Sequence, residues 1–223
     1  MACSNRTVRH LRRLSSAAAA LTLALTASLA AGAAAEAAPS RDRLALGDSV
    51  MLGARTALKS KGFRVDATTS RQAYSAPALL KAKGAKLPEN VVVHLGTNGT
   101  FPLDTCKRVV KVAGPERRVF LVTVFVPRSW ERSNNATIRK CAKSFPDGRV
   151  SVIDWNSLAS KHPGWFYGDH VHLKPAGAAG FARLLDTSVD EVVARSQAGA
   201  PTGATQKTSI LGASGSAKVG VNT

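Results

Sequence analysis

Leu44-Ala45-Leu46-Gly47-Asp48-Ser49-Val50-Met51-Leu52-Gly53-Ala54 is the stretch on which the fold turns. Leu44 to Gly47 is a short apolar run suited to a buried strand, and Val50 to Lys61 follows with helical spacing until Gly62 stops it. The same alternation continues along the chain. Strands are predicted at Phe63 to Ala67, Val91 to Leu95, Val119 to Val126 and Val150 to Asp154. The β-branched run Val119 to Val126 is expected in the interior of the sheet. Helices are predicted at Arg71 to Lys83, Asp104 to Val112, Glu131 to Ser144 and Pro175 to Arg195, the last with proline in its first turn. Regular alternation of this kind predicts an α/β fold, a three-layer α/β/α sandwich around a central parallel sheet. In such a sheet a ligand site lies beyond the carboxyl ends of the strands.

Outward from this region the composition changes. Arg6, Arg9, Arg12 and Arg13 precede an uncharged, alanine-rich run from Ala17 to Ala35, and Ala-Glu-Ala-Ala-Pro-Ser follows. A basic segment, an apolar segment and small residues at a cleavage point make residues 1–38 an expected secretory signal peptide. Its alanine content is weakly hydrophobic for a retained anchor. Residues 39–196 form the expected domain. Residues 197–223, rich in Gly, Ser and Thr, read as a flexible low-complexity tail. The sequence therefore implies a secreted protein, at the cell envelope or outside it, with no stable membrane insertion after cleavage; a monomer is expected, though no feature of the sequence sets the oligomeric state.

The 223-residue chain holds 31 Lys and Arg against 14 Asp and Glu, for +17. Without residues 1–38 it keeps 27 basic and 13 acidic residues, or +14. At 44% hydrophobic residues the composition excludes a disordered chain. It has no compact Lys/Arg block and no aromatic-basic RNA motif, so no nucleic-acid partner is expected. For an exported protein, an anionic cell-envelope polymer is the expected counterpart of the charge, with solubility as the alternative. Cys106 and Cys141 remain after the leader is removed. An oxidising compartment favours a disulfide between them, with two free buried thiols as the other reading.

Three polar junctions carry chemistry. Gly47-Asp48-Ser49 puts a serine between a strand end and a helix start, a position suited to a nucleophile and equally to a helix cap. Gly96-Thr97-Asn98-Gly99 offers an asparagine N–H donor at a second strand end, or simply a turn. Asp169-His170-Val171-His172 places a carboxylate three residues before an imidazole that it can orient. A metal site on His170 and His172 is the rival reading, but no matching cluster of further ligands appears, and no metal or cofactor is expected.

Together the three junctions resemble the SGNH hydrolases, the GDSL-like lipase/acylhydrolase family, from roughly Arg43 to Val193. The matching motifs are Gly47-Asp48-Ser49, Gly96-x-Asn98 and Asp169-x-x-His172. Val65-Asp66-Ala67 leading to Arg71-Gln72, and Val126-Pro127-Arg128-Ser129-Trp130 followed by Asn135, are similar to the extracytoplasmic SGNH domain attached to membrane acyltransferases of cell-wall polymers. The resemblance implies a flavodoxin-like SGNH fold and a triad of Ser49, His172 and Asp169. It also implies an oxyanion site made by the Ser49 amide and Asn98, with Ser70 near the position where the family usually has glycine. Arg71, Trp130 and Trp165 are candidates for the substrate groove, with packing as the alternative. By the same resemblance Asp48 is a structural neighbour of the serine, and His94 reads as a core histidine.

The function so implied is a secreted serine esterase for short-chain, O-acetyl-type esters of small molecules or glycans. The alternative is an O-acyltransferase of a cell-wall polysaccharide or peptidoglycan, fed by a separate membrane acyl donor. A third reading, from another class, is a non-catalytic envelope-binding module.

Overall fold

The computed structural model describes residues 42–198. The expected signal peptide lies outside them, as does the expected tail apart from Gln197 and Ala198, which belong to the last helix. Five strands form one parallel sheet: β1 (Arg43–Gly47), β2 (Phe63–Ala67), β3 (Asn90–His94), β4 (Arg118–Val122) and β5 (Val150–Ile153), in the order β2-β1-β3-β4-β5. Alternate residues of each strand enter different cores, as the two-residue repeat of a pleated strand requires. Leu44, Leu46, Val91, Val93, Val119 and Leu121 pack beneath α3 (Ala76–Lys83), α4 (Leu103–Ala113) and α5 (Glu131–Lys143). Ala45, Val92, Phe120, Val122 and Ile153 face the other layer. That layer holds α1 (Ser49–Gly53), α2 (Arg55–Ser60), α6 (Trp155–Ala159) and α7 (Pro175–Ala198). The three-layer sandwich is the one expected from the alternation.

Chain direction across the sheet locates the site. From β1 the chain moves outward to β2, then returns past β1 to β3 and continues away. The crevice at the carboxyl ends of β1 and β3 is the switch point, where neighbouring connections leave to opposite faces. Gly47 is level with Ala67 on one side and His94 on the other, so the segments beginning at Asp48 and Leu95 emerge side by side.

Several elements are shorter or more broken than the sequence suggests. The expected helix Val50 to Lys61 divides into α1 and α2 at the fully buried Ala54. Arg71 to Lys83 becomes a 3-10 turn at Ala73–Ser75 followed by α3, with Pro77 in its first turn. Strand β4 ends at Val122 instead of Val126, since β5 pairs only with Val119 to Val122. Beyond it the side chain of Asn135 takes the place of a neighbouring strand, accepting from Val124 N at 2.8 Å and donating to Val124 O at 2.8 Å. Helix α6, capped by the Asp154 carboxylate at the Ser157 amide, lies in a segment where no helix was expected. Cys106 on α4 and Cys141 on α5 are both fully buried and form a disulfide. Among the described residues no helix is long and apolar enough to cross a membrane.

Candidate active site

Ser49 opens α1. The Asp48 carboxylate caps that helix by accepting from the Val50 amide at 3.1 Å, which turns the chain sharply out of β1. The helix cap is thus Asp48, and the Ser49 hydroxyl is not used for capping. Only 9% of Ser49 is exposed, and its Oγ lies 3.1 Å from Nε2 of His172. On the other side of that ring Nδ1 is 2.5 Å from Oδ2 of Asp169. The second carboxylate oxygen of Asp169 accepts from the backbone amides of Val171 at 2.9 Å and His172 at 3.0 Å. The His172 hydrogen bond, and then the two amides, hold the Asp169 carboxyl well below the usual carboxylate range. Asp169 is therefore an ionised acceptor at neutral pH, and the proton between the two side chains sits on Nδ1. In the neutral form of the ring that arrangement turns the Nε2 lone pair toward the serine hydroxyl.

The loop that presents Asp169 and His172 is closed on itself. Tyr167 N donates to His172 O at 2.9 Å, His170 N to Tyr167 O at 2.9 Å, and Lys174 N to Trp165 O at 2.8 Å. His170 takes a positive φ of 58°, an uncommon conformation for a side-chain-bearing residue, at the tip of this loop. Asp169 and His172 are each about half exposed, so the pair sits at the mouth of the site rather than within the core.

Ser49, Asp169 and His172 line a cleft of about 350 Å³ with Ser70, Asn98 and Trp130 among its other walls. Asn98 stands in the turn after β3, its Nδ2 3.5 Å from the carbonyl of Arg71. Ser70 has a φ of 58°. Glycine enters this left-handed backbone without Cβ strain, which fits the glycine that the resemblance implies near this position. The indole nitrogen of Trp130 is buried and has no hydrogen-bond partner among the described residues. Arg128 lies on the rim of the same cleft.

Two sequence candidates are placed elsewhere. The guanidinium of Arg71 donates to Gly47 O at 3.1 Å, Asp66 O at 2.5 Å, Asp66 Oδ1 at 2.8 Å and Thr68 Oγ1 at 3.0 Å. These four hydrogen bonds tie the end of β1 to the end of β2 and the turn after it. Partial burial would raise the Asp66 carboxyl, but hydrogen bonds and charge from Lys83 and Arg71 outweigh it and lower the pKa. Trp165 stacks on Trp155 and His162, with centroids at 6.1 and 4.0 Å, and lies on α7. A Cβ at Gly180 would come within 2.4 Å of its ring, and one at Gly177 within 2.5 Å of its backbone carbonyl. Large aromatic area is more stably placed against a helix with two glycines than in an open cleft, so Trp165 packs. Phe166 is likewise buried, against Phe125 and Trp155, whereas Tyr167 is 53% exposed.

Asn134 escaped the sequence reading. From α5 it donates through Nδ2 to Gly96 O at 2.9 Å and Gly99 O at 2.8 Å, and it accepts from Phe101 N at 2.7 Å. At 2% exposure it holds the whole turn that carries Asn98. Gly96, with φ of 111°, passes so close to Asn134 Nδ2 that a Cβ there would meet it at 3.0 Å. The only signal was an Asn-Asn pair in a helix, where asparagine is a poor helix former and needs another reason to be present. Asp48 and His94 form a second buried polar pair, with His94 Nδ1 3.5 Å from Asp48 Oδ1 and Phe181 edge-on to the ring. His94 is a core histidine, as its apolar surroundings in the sequence suggest.

The fold has solved counterparts. The C-terminal catalytic domain of the peptidoglycan O-acetyltransferase OatA of Streptococcus pneumoniae superposes with a TM-score of 0.59 at 24% identity, covering 70% of this chain and 94% of that one. A carbohydrate esterase family 3 protein of Talaromyces cellulolyticus gives 0.55 at 16% identity, covering 69% and 99%. The fold is that of the SGNH hydrolases. In sequence the chain is 31% identical over 150 residues to YrhL of Bacillus subtilis and 31% identical over 147 residues to the O-acetyltransferase OatA of Staphylococcus aureus. These alignments take in 66% and 64% of the chain but only 23% and 24% of the relatives, so it spans less than a quarter of their length. No family model matches it.

Proposed function

We propose that the chain is a secreted serine esterase that removes short acyl groups, of the O-acetyl type, from small-molecule or glycan esters. The observation that carries this reading is the continuous path from Ser49 Oγ through His172 to Asp169, with contacts of 3.1 and 2.5 Å at the wall of an open cleft. Ser49 Oγ attacks the ester carbonyl carbon while Nε2 of His172 takes the hydroxyl proton, and Asp169 steadies the imidazolium that forms. Collapse of the tetrahedral intermediate expels the alcohol, which receives that proton, and leaves an acyl-Ser49. Water then attacks with His172 again as base, releasing the carboxylic acid and restoring the serine. The amides of Ser49 and Ser70 and the Asn98 side chain are the proposed oxyanion donors. Each is worth about 2.7–4 kcal/mol when aimed at a developing charge.

A second reading, O-acyl transfer to a wall polysaccharide or peptidoglycan, is supported by the sequence likeness to OatA. The two differ only in the second acceptor: water for hydrolysis, a sugar hydroxyl for transfer. A chromogenic acetyl ester, assayed with and without oligosaccharide acceptors, separates them by whether free acetate or acetylated sugar accumulates. Ser49→Ala lowers turnover in either case by at least about a thousandfold. Turnover close to that of the unmodified chain would remove Ser49 from the mechanism, and with it this reading.

A further inference from the structure

The two helical layers differ in charge. Helices α4 and α5 together carry seven Lys and Arg residues against Asp104 and Glu131, whereas α7, the longest helix of the opposite layer, carries Arg183 and Arg195 against Asp186, Asp190 and Glu191. Glu131 is turned toward the loop before it, where its carboxylate accepts from Val126 N at 2.6 Å. Arg139 is paired with Asp154 at 2.8 Å. Lys107, Arg108, Lys111, Arg132, Lys140 and Lys143 have no ion-pair partner among the described residues. On α4 they stand at 107, 108 and 111 and on α5 at 132, 140 and 143, within about 100° of arc on either helix at 3.6 residues per turn, which gathers them into one row on the outer side of each.

We propose that this outer face of α4 and α5 docks a linear polyol-phosphate polymer, a phosphodiester chain without bases, independently of the ester chemistry in the cleft. Two adjacent cationic rows match a chain of regularly repeated negative charge better than a single small anion. The Cys106–Cys141 bridge beneath them joins the two helices and sets the separation of the rows in advance, which reduces the ordering cost of binding. A membrane surface fits less well. Proteins that lie on membranes insert apolar side chains, and the exposed large hydrophobic residues, Tyr74 and Tyr167, are on neither helix. Neither helix contains an aromatic residue on which a nucleic-acid base would stack. Helix α5 begins immediately after Trp130, at the wall of the cleft, so a polymer held along it leads away from the active site while leaving the enzyme tethered.

The test compares two triple charge reversals of the exported full chain. Lys111→Glu, Arg132→Glu and Lys140→Glu change the proposed face; Lys59→Glu, Arg183→Glu and Arg195→Glu change the opposite layer. All six positions are exposed, and both triples alter the net charge equally. Retention on immobilised poly(glycerol phosphate) is measured across a salt titration, with circular dichroism to establish that each variant is folded. The first triple is expected to weaken binding by about tenfold or more and to flatten its salt dependence. The control triple changes it by less than about twofold. Should the first triple fail to fold, the corresponding glutamine variant is expected to show an intermediate loss. Equal weakening by both triples means that net charge alone acts, and overturns the assignment. Tighter binding of the unmodified chain to phosphatidylglycerol vesicles or to single-stranded DNA than to the polymer overturns it as well.

Discussion

Replacing Asn134 with alanine removes three hydrogen bonds to the backbone of residues 96–101 from a site that is 2% exposed. A net contribution of about 1 kcal/mol for each bond gives a loss near 3 kcal/mol, and the two carbonyls and one amide left behind add to it where water cannot reach them. A domain of this size has about 5–15 kcal/mol to lose, so the variant remains folded but measurably weaker. The same change releases the turn bearing Asn98 while touching none of Ser49, His172 and Asp169. Turnover should therefore fall by an amount approaching that of Asn98→Ala. Urea denaturation reads the first effect and hydrolysis of 4-nitrophenyl acetate the second. The double variant with Asn98→Ala decides the route: if Asn134 acts by positioning Asn98, its effect on kcat largely disappears when Asn98 is already absent. A stability loss under about 1 kcal/mol, or kcat effects that multiply in the double variant, would refute the reasoning.

Because His172 and two amides hold Asp169 below its usual carboxylate range, the unfolded chain binds more protons than the folded one at acidic pH. Stability from this group is present above the unfolded carboxylate pKa and disappears as pH falls toward the lowered folded value. Asp169→Asn should flatten the acid limb of a stability-versus-pH curve, and an unchanged slope would contradict the assigned interaction. If Ser70 contributes its amide and not its hydroxyl, Ser70→Gly keeps kcat within about threefold; a much larger loss assigns the role to the hydroxyl. Cys106 and Cys141 are bonded to each other, so a chain lacking residues 1–38, and with them Cys3, should titrate no thiol when denatured without reductant. Replacing both cysteines with serine should cost up to about 4 kcal/mol on a chain-entropy basis for a 35-residue separation.

Local chemistry made much of this molecule legible before its structure. Apolar runs such as Val91-Val92-Val93 admit few alternatives to buried strands, and the helices between them leave a parallel sheet as the consistent arrangement. The Asp169-x-x-His172 spacing was equally readable, because both residues sit on one loop whose own hydrogen bonds bring them together. Ser49 is different. It lies 123 residues from His172, and no local rule measures that distance; the resemblance suggested the pairing, and only the strand order placed the end of β1 beside the loop.

What tertiary structure alone decided concerns side chains with more than one reasonable partner. Arg71 and Trp165 were suitable substrate contacts by residue type. The first instead met three oxygens at the ends of β1 and β2 and a threonine hydroxyl, and the second met a helix face cleared by Gly177 and Gly180. Asn134 looked like an ordinary helical residue, yet it holds a turn 35 to 38 residues earlier in the chain. The five strands, the longer helices and the polar junctions could be read from the sequence, because those depend on neighbours a few residues away, whereas the short helix α6, the break at Ala54 and the end of β4 at Val122 could not. Partners of a long polar or aromatic side chain depend on which distant backbone groups and empty spaces the packed layers bring within about 3 Å of it, and that is settled only when the layers close.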